Sequence, residues 1–176
     1  MLGLLNDAGN TVTLAHYLDL LGKANILCAL SKYAGNKIRA RNSSPRLMVY
    51  DTSLLVWASG VSRTRLMETP DARGHLVESA VGAYLLARGR EEGFSVHWWR
   101  DRDKEVDFVI ESGKFGDCGL ADGTGLTAIE VKSGRIKHVG GTMEFIRRYP
   151  NALGLTVGAG GCRLEDFLEG EVPLFK

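Results

Sequence analysis

Hydrophobic and polar positions alternate most regularly between Lys104 and Ser133. Val106, Phe108 and Ile110 alternate with Glu105, Asp107, Val109 and Glu111, and further on Ile129 and Val131 alternate with Glu130 and Lys132. A period of two marks half-buried β-strands. Between the two segments lies SGKFGDCGLADGTGL, whose five glycines allow the chain to return antiparallel. This pairing predicts that Asp107, Glu130 and Lys132 meet on one face of a sheet.

The flanking pattern extends this unit. Residues 74–88 carry Val77, Ala80, Val81, Tyr84 and Leu85 on one helical stripe, and FSVHWWR (94–100) reads as an aromatic strand. Trp98 and Trp99 point to opposite faces of it, so at least one belongs to the core, while the other can cover the sheet edge or stack on a base. A helix over 139–149, with Val139, Met143, Ile146 and Tyr149 at core spacing, stops at Pro150, and ALGLTV (152–157) is a buried-type strand. Leu164, Phe167 and Leu168 suggest a last short helix. The second half thus runs helix, three strands, helix, strand, and a helix between the third and fourth strands permits a parallel crossover and a mixed sheet.

Upstream, TVTLAHYLDLLG (11–22) spaces Val12, Ala15, Leu18 and Leu21 as an amphipathic helix, with Gly22 as its stop. ILCALSKY (26–33) and RLMVY (46–50) read as two strands, and a helix followed by a two-stranded wing is the latter half of a winged helix. SGVSRTRLMETPDAR (59–73) loses periodicity and contains Pro70, which predicts a linker. The expected division is a partial winged-helix lobe over 1–58, a linker over 59–73 and an α/β domain over 74–176.

The chain has 176 residues, 44% of them hydrophobic, enough for one ordinary core or two small ones. A formal charge of +1 gives no overall attraction to polyanions, so contact with nucleic acid depends on local patches. One such patch is the wing: Lys32, Lys37, Arg39, Arg41 and Arg46, with no acid between residues 31 and 46. It can touch phosphates or serve as a solvated hairpin tip. Arg100 can also reach a phosphate, with an ion pair to a neighbouring acid as the other reading. Cys28, Cys118 and Cys162 form neither a CxxC nor a Cys/His cluster, which argues against zinc and against a secreted disulfide framework. With no membrane-length apolar run and no signal-peptide pattern at the N-terminus, the expected compartment is the cytoplasm.

Two carboxylates and a lysine on one sheet face have a defined chemistry. Mg²⁺ prefers oxygen ligands and keeps several waters, so Asp107 and Glu130 can hold it while a phosphodiester supplies further oxygens. Lys132 would orient the attacking water or neutralise developing charge. The plainer reading is a solvated Glu130/Lys132 pair beside a polar edge, worth ~0.2–1 kcal/mol.

Asp107 followed by Glu130-x-Lys132 resembles the PD-(D/E)XK nuclease signature, with Val106 where that signature usually has Pro. More specifically, the runs GHLVESAVGAYLL, HWWRDRDKEVDFVI and AIEVKSG are similar to the C-terminal domain of unknown function in a large prokaryotic family of AAA-type ATPases. The similarity continues upstream through DAGNTVTLAHYLDLLGKANI and SSPRLMVYDTSLL. It implies a restriction-endonuclease-like αβββαβ core with Asp107 and Glu130 as Mg²⁺ ligands. It further implies Glu78, on the first helix of that core, as an auxiliary carboxylate. The alternative for Glu78 is an N-terminal-turn glutamate favoured by the helix dipole. The family's ATPase domain is not in this chain, which contains no GxxxxGK[ST] and so no P-loop. Two functions follow as expectations: a Mg²⁺-dependent DNA phosphodiesterase, or a non-catalytic DNA- or protein-binding module on the same fold.

Overall fold

The computed structural model describes residues 11–35, 44–112, 125–134 and 140–175. Its centre is a four-stranded sheet in the order β3–β4–β5–β6, formed by β3 (Phe94–Asp101), β4 (Lys104–Ser112), β5 (Leu126–Lys132) and β6 (Ala152–Gly158). The first two pairings are antiparallel and β5–β6 is parallel, so the sheet is mixed as expected. The parallel crossover is made by α5 (Gly141–Arg148).

Helix α4 (Pro70–Glu92) lies against one face. Pro70 starts it at a position where a missing N–H costs nothing, and Gly93, in the left-handed region, ends it. Its buried Val81 and Leu85 join Phe108, Ile110, Ile129 and Val157 of the sheet and Phe167 of α6 (Leu164–Leu168) in one core. The other face packs Trp99, Val106, Val109 and Ala128 against Phe145 of α5. Trp98 and Trp99 divide between the two cores as their alternation predicts.

The N-terminal part consists of α1 (Thr11–Lys23) and a hairpin of β1 (Leu27–Leu30) and β2 (Arg46–Val49), followed by α2 (Thr52–Ala58) and α3 (Arg63–Glu68). Gly22 lies inside α1, and the turn out of the helix is made instead by Asn25 at φ 54°. Asparagine tolerates this left-handed position better than most residues with a side chain. Val12 and Ala15 of the expected apolar stripe are exposed, while Leu18 and Leu21 are partly covered.

The hairpin is not a lobe with its own core. Leu30 and Met48 are buried in the same cluster as Val81 and Phe108, and the chain after β1 runs along the edge of β3 through Tyr33 N–H to Trp98 O and Trp98 N–H to Ser31 O. Pairing there covers one edge of the sheet. Close approach of α4 to β2 is possible because residue 82 is glycine: a Cβ there would overlap Met48 and the ring of Phe108. The stretch 59–73, expected as a linker, holds α3 and the first turn of α4. Ser62 caps α3 through its hydroxyl, and Thr69 Oγ1 donates to Arg65 O, which bends the chain into Pro70. Capping of this kind leaves no hydrophobic period to read.

Candidate functional site

An irregularity in β4 positions the first candidate. Val106 and Val109 are three residues apart yet belong to the same core, which strict alternation forbids. The register shows why: His97 pairs with Val109 and Trp99 with Val106, so Asp107 and Phe108 together oppose Trp98. The extra residue is a β-bulge, a device that re-aims a side chain. Here it turns Asp107 toward the end of β5, where its Oδ2 accepts the Val131 N–H at 2.8 Å.

Burial pushes the Asp107 carboxyl up to about 6, with the negative charge of Glu78 adding to the rise. The Val131 N–H, Arg46 and Lys132 act the other way and do not cancel it. The result is a buried carboxylate whose charge is incompletely balanced.

Asp107, Glu78 and Lys132 line one concavity of about 340 Å³, with Asp71, His75 and Ser133 at its wall. The first turns of α4 bring Glu78 there, one turn before the Gly82 contact with β2. Arg46 of β2, two residues from Met48, ion-pairs with Glu78 and reaches Glu105 Oε1 at 3.3 Å. His75 Nδ1 lies 3.9 Å from the second Glu78 oxygen.

Glu130 follows Ile129, whose pairing with Phe108 ends the β4–β5 ladder. Its Oε1 holds Lys132 Nζ at 2.5 Å, and its Oε2 accepts the Thr142 hydroxyl at 3.0 Å. With 7% of its surface exposed, it stands behind the concavity rather than among its lining residues. Of the four expected residues, three therefore share the concavity and the fourth is tied to it through Lys132. Arg100 is elsewhere: it pairs in register with Glu105, 4.0 Å away, and donates to Arg102 O. Lys37, Arg39 and Arg41 lie outside the described residues.

The sequence marks Arg46 only as one member of the wing patch. Its role at Glu78 has no local signal, because it depends on β2 packing across α4. Among the described residues, no three of His, Cys, Asp and Glu are placed to hold a metal ion together. Mg²⁺ commonly takes one or two carboxylates and completes its shell with water and phosphate oxygens, so the incompletely balanced Asp107 with a neighbouring carboxylate fits that ion.

The model of a domain of unknown function, DUF4143, matches residues 73–165, more than half of the chain. The chain belongs to this family. The matched segment holds Glu78, Asp107, Glu130 and Lys132, so the four expected site residues fall inside the DUF4143 region, while Arg46 and Asp71 lie outside it. A second domain of unknown function, DUF8612, matches residues 3–65 and contains Arg46. The two matches meet within the stretch 59–73, although the segments share a core. No curated protein and no solved structure matches this chain. No helix among the described residues is long and apolar enough to cross a membrane.

Proposed function

We propose that this chain carries a Mg²⁺-dependent phosphodiesterase-like module acting on DNA, on a restriction-endonuclease-like core preceded by part of a winged helix. The order α4–β3–β4–β5–α5–β6 agrees with that core. The observation that carries the reading is Asp107: a bulge holds its carboxylate, buried and incompletely balanced, in a polar concavity that also contains Glu78 and Lys132.

In this reading Asp107 and Glu130 are the metal ligands and Glu78 an auxiliary carboxylate. Bound Mg²⁺ would supply Lewis-acid polarisation of a phosphoryl oxygen and a more acidic water. Glu130 fixes the Lys132 ammonium at the rim, where it orients a water or balances charge on the phosphate in the transition state. Thr142 holds the far Glu130 oxygen and so sets that carboxylate's direction. In keeping with the resemblance to AAA-type ATPases, the module would serve an ATPase domain, and the free thiols of Cys28 and Cys162 suit a cytoplasmic setting.

A second reading rests on the ion pairs. Lys132 is bound to Glu130 and Glu78 to Arg46, so the charged groups also satisfy one another without a metal. That arrangement suits a non-catalytic DNA- or protein-binding module. Incubation of single- and double-stranded DNA with the protein and Mg²⁺ separates the two. Cleavage lost in Asp107→Asn and Lys132→Ala supports the enzyme, and its absence in the wild type supports the binding module.

A further inference from the structure

A second concavity of about 340 Å³ adjoins the first, and the two share Lys132 and Ser133. The ridge between them is the start of α4. Asp71, His75 and Glu78 face the acidic side, whereas Arg73 and Val77, one turn apart, line the other. The saddle is narrow because Gly74 sits on Ser133: a Cβ on residue 74 would come within 3.0 Å of the Ser133 Oγ. Both concavities reach the end of β5, and the second also the end of β6, whose parallel pairing with β5 continues to Lys132↔Gly158. Crevices beyond the carboxyl ends of parallel strands are where α/β sheets commonly bind ligands.

The second concavity has the opposite charge. Arg73 enters from α4, and its Nη2 donates to the Ser133 carbonyl at 3.1 Å. That bond anchors the guanidinium while using one of its five N–H donors. Arg163 enters from the turn before α6, with 72% of its side chain exposed. Its only ion pairs among the described residues are long, 3.7 Å to Glu165 and 3.8 Å to Asp166. Between the two arginines lie the apolar Val77, Ala159 and Leu164. Two guanidinium forks over an apolar floor suit a phosphodiester, whose oxygens take the N–H donors while the sugar covers the carbon surface.

We propose that this basic concavity is a phosphate subsite for a nucleic-acid strand that crosses the Gly74–Ser133 saddle into the acidic concavity. The proposal rests on the phosphodiesterase reading for the direction of the strand. It adds what that site lacks: without a metal, the carboxylates repel phosphate, so the grip on the strand comes from Arg73 and Arg163. Glu165, at the rim, opposes it.

The test is oligonucleotide binding by fluorescence anisotropy in EDTA, over a series of salt concentrations, using the full chain. Arg163→Gln should weaken binding of a single strand and lower the salt slope by about 0.7, the value of one phosphate contact on a single strand. Glu165→Gln should tighten binding. Opposite signs at two neighbouring exposed residues are not expected of a merely structural role. Circular dichroism melts of both variants should match the wild type.

Unchanged affinity and slope in Arg163→Gln, or no oligonucleotide binding by the wild type, would overturn the subsite. Pyrophosphate binding without oligonucleotide binding would overturn the nucleic-acid assignment and leave a site for free phosphate. The phosphodiesterase reading fails separately, through loss of Mg²⁺-dependent cleavage, which the EDTA measurement does not touch.

Discussion

The Asp107 carboxylate accepts the Val131 backbone N–H at 2.8 Å, just beyond the Phe108↔Ile129 pair. A side chain thus takes over as partner of β5 at the end of its antiparallel ladder. The bond orients the acid but leaves its charge poorly compensated, so Asp107 couples the site's chemistry to the protein's stability.

This coupling gives a pH dependence with a definite sign. The carboxyl rises from an ordinary 3.8 to about 6 in the folded chain, so the native state holds a proton that the unfolded chain has released. Stability should therefore fall as pH rises from about 4 to 6 and level off above, by roughly 3 kcal/mol from this group alone. Asp107→Asn should be more stable than the wild type at pH 8 and should flatten the decline. Urea melts across pH 4–8 measure it, and an equal decline in both proteins would dismiss the assignment.

Arg46 offers a second measurement. It is the cation between Glu78 and Glu105, and Asp107 also feels its charge. Arg46→Gln should cost about 1 kcal/mol or more, because the largely buried Glu78 carboxylate loses its arginine and keeps only the long contact with His75. It should also push the Asp107 carboxyl still higher, which carbon-detected NMR titration of the side chain would show. A titration midpoint that stays put or falls would remove Arg46 from the site.

How much of this was legible in the sequence differs by element. The strands around Asp107 and Glu130 were readable from the alternation of their residue types, although β5, central in the sheet, buries Leu126 to Glu130 without a break. The α4 stripe was readable because Val81 and Leu85 repeat at helical spacing. The bulge was not, since one extra residue at 107–108 changes no residue type and appears only in the register with β3. The ion pair of Arg46 with Glu78 was hidden for a similar reason: it joins residues that only tertiary packing brings together. Helices α2 and α3 were missed because they bury little of their surface, with Trp57 83% exposed and Leu66 the one buried residue of α3.

The α4–β2 contact predicts a packing effect. Replacing Gly82 by Ala gains about 1 kcal/mol of helix propensity. The new methyl would stand 2.8 Å from the fully buried Phe108 ring, which cannot swing aside as the Met48 terminus can. Overpacking of this kind costs ~1–3 kcal/mol, so the net effect should be destabilising. Thermal melts of Gly82→Ala and of Gly82→Ala with Phe108→Leu test it. The second change should recover part of the loss if the ring is the obstacle.

The wing patch has its own prediction, made on residues outside those described. If Lys37, Arg39 and Arg41 each touch a phosphate, neutralising all three should flatten the salt dependence of duplex binding by about 2.7 in slope, at ~0.9 per contact. An unchanged slope would make the patch a solvated hairpin tip.

The metal prediction joins stability to chemistry. A ligand that binds only the folded state stabilises it by RT ln(1 + [L]/Kd), so Mg²⁺ at ten times its Kd should add ~1.4 kcal/mol to the wild type. The gain should shrink below pH 6, because Asp107 must lose its proton before it can act as a ligand. Asp107→Asn should abolish the gain while keeping the fold, since the amide is nearly isosteric and its oxygen can still accept the Val131 N–H. Lys132→Ala should keep the gain, or increase it, because the Glu130 Oε1 that now holds the ammonium at 2.5 Å is released toward the ion. The same variant should lose DNA cleavage, since the lysine acts on water or transition-state charge. Equal Mg²⁺ stabilisation of wild type and Asp107→Asn would refute the assignment. Stabilisation without cleavage would leave a metal-binding module that has lost its chemistry, with the Lys132–Glu130 and Arg46–Glu78 pairs as the physical reason that the fold survives that loss.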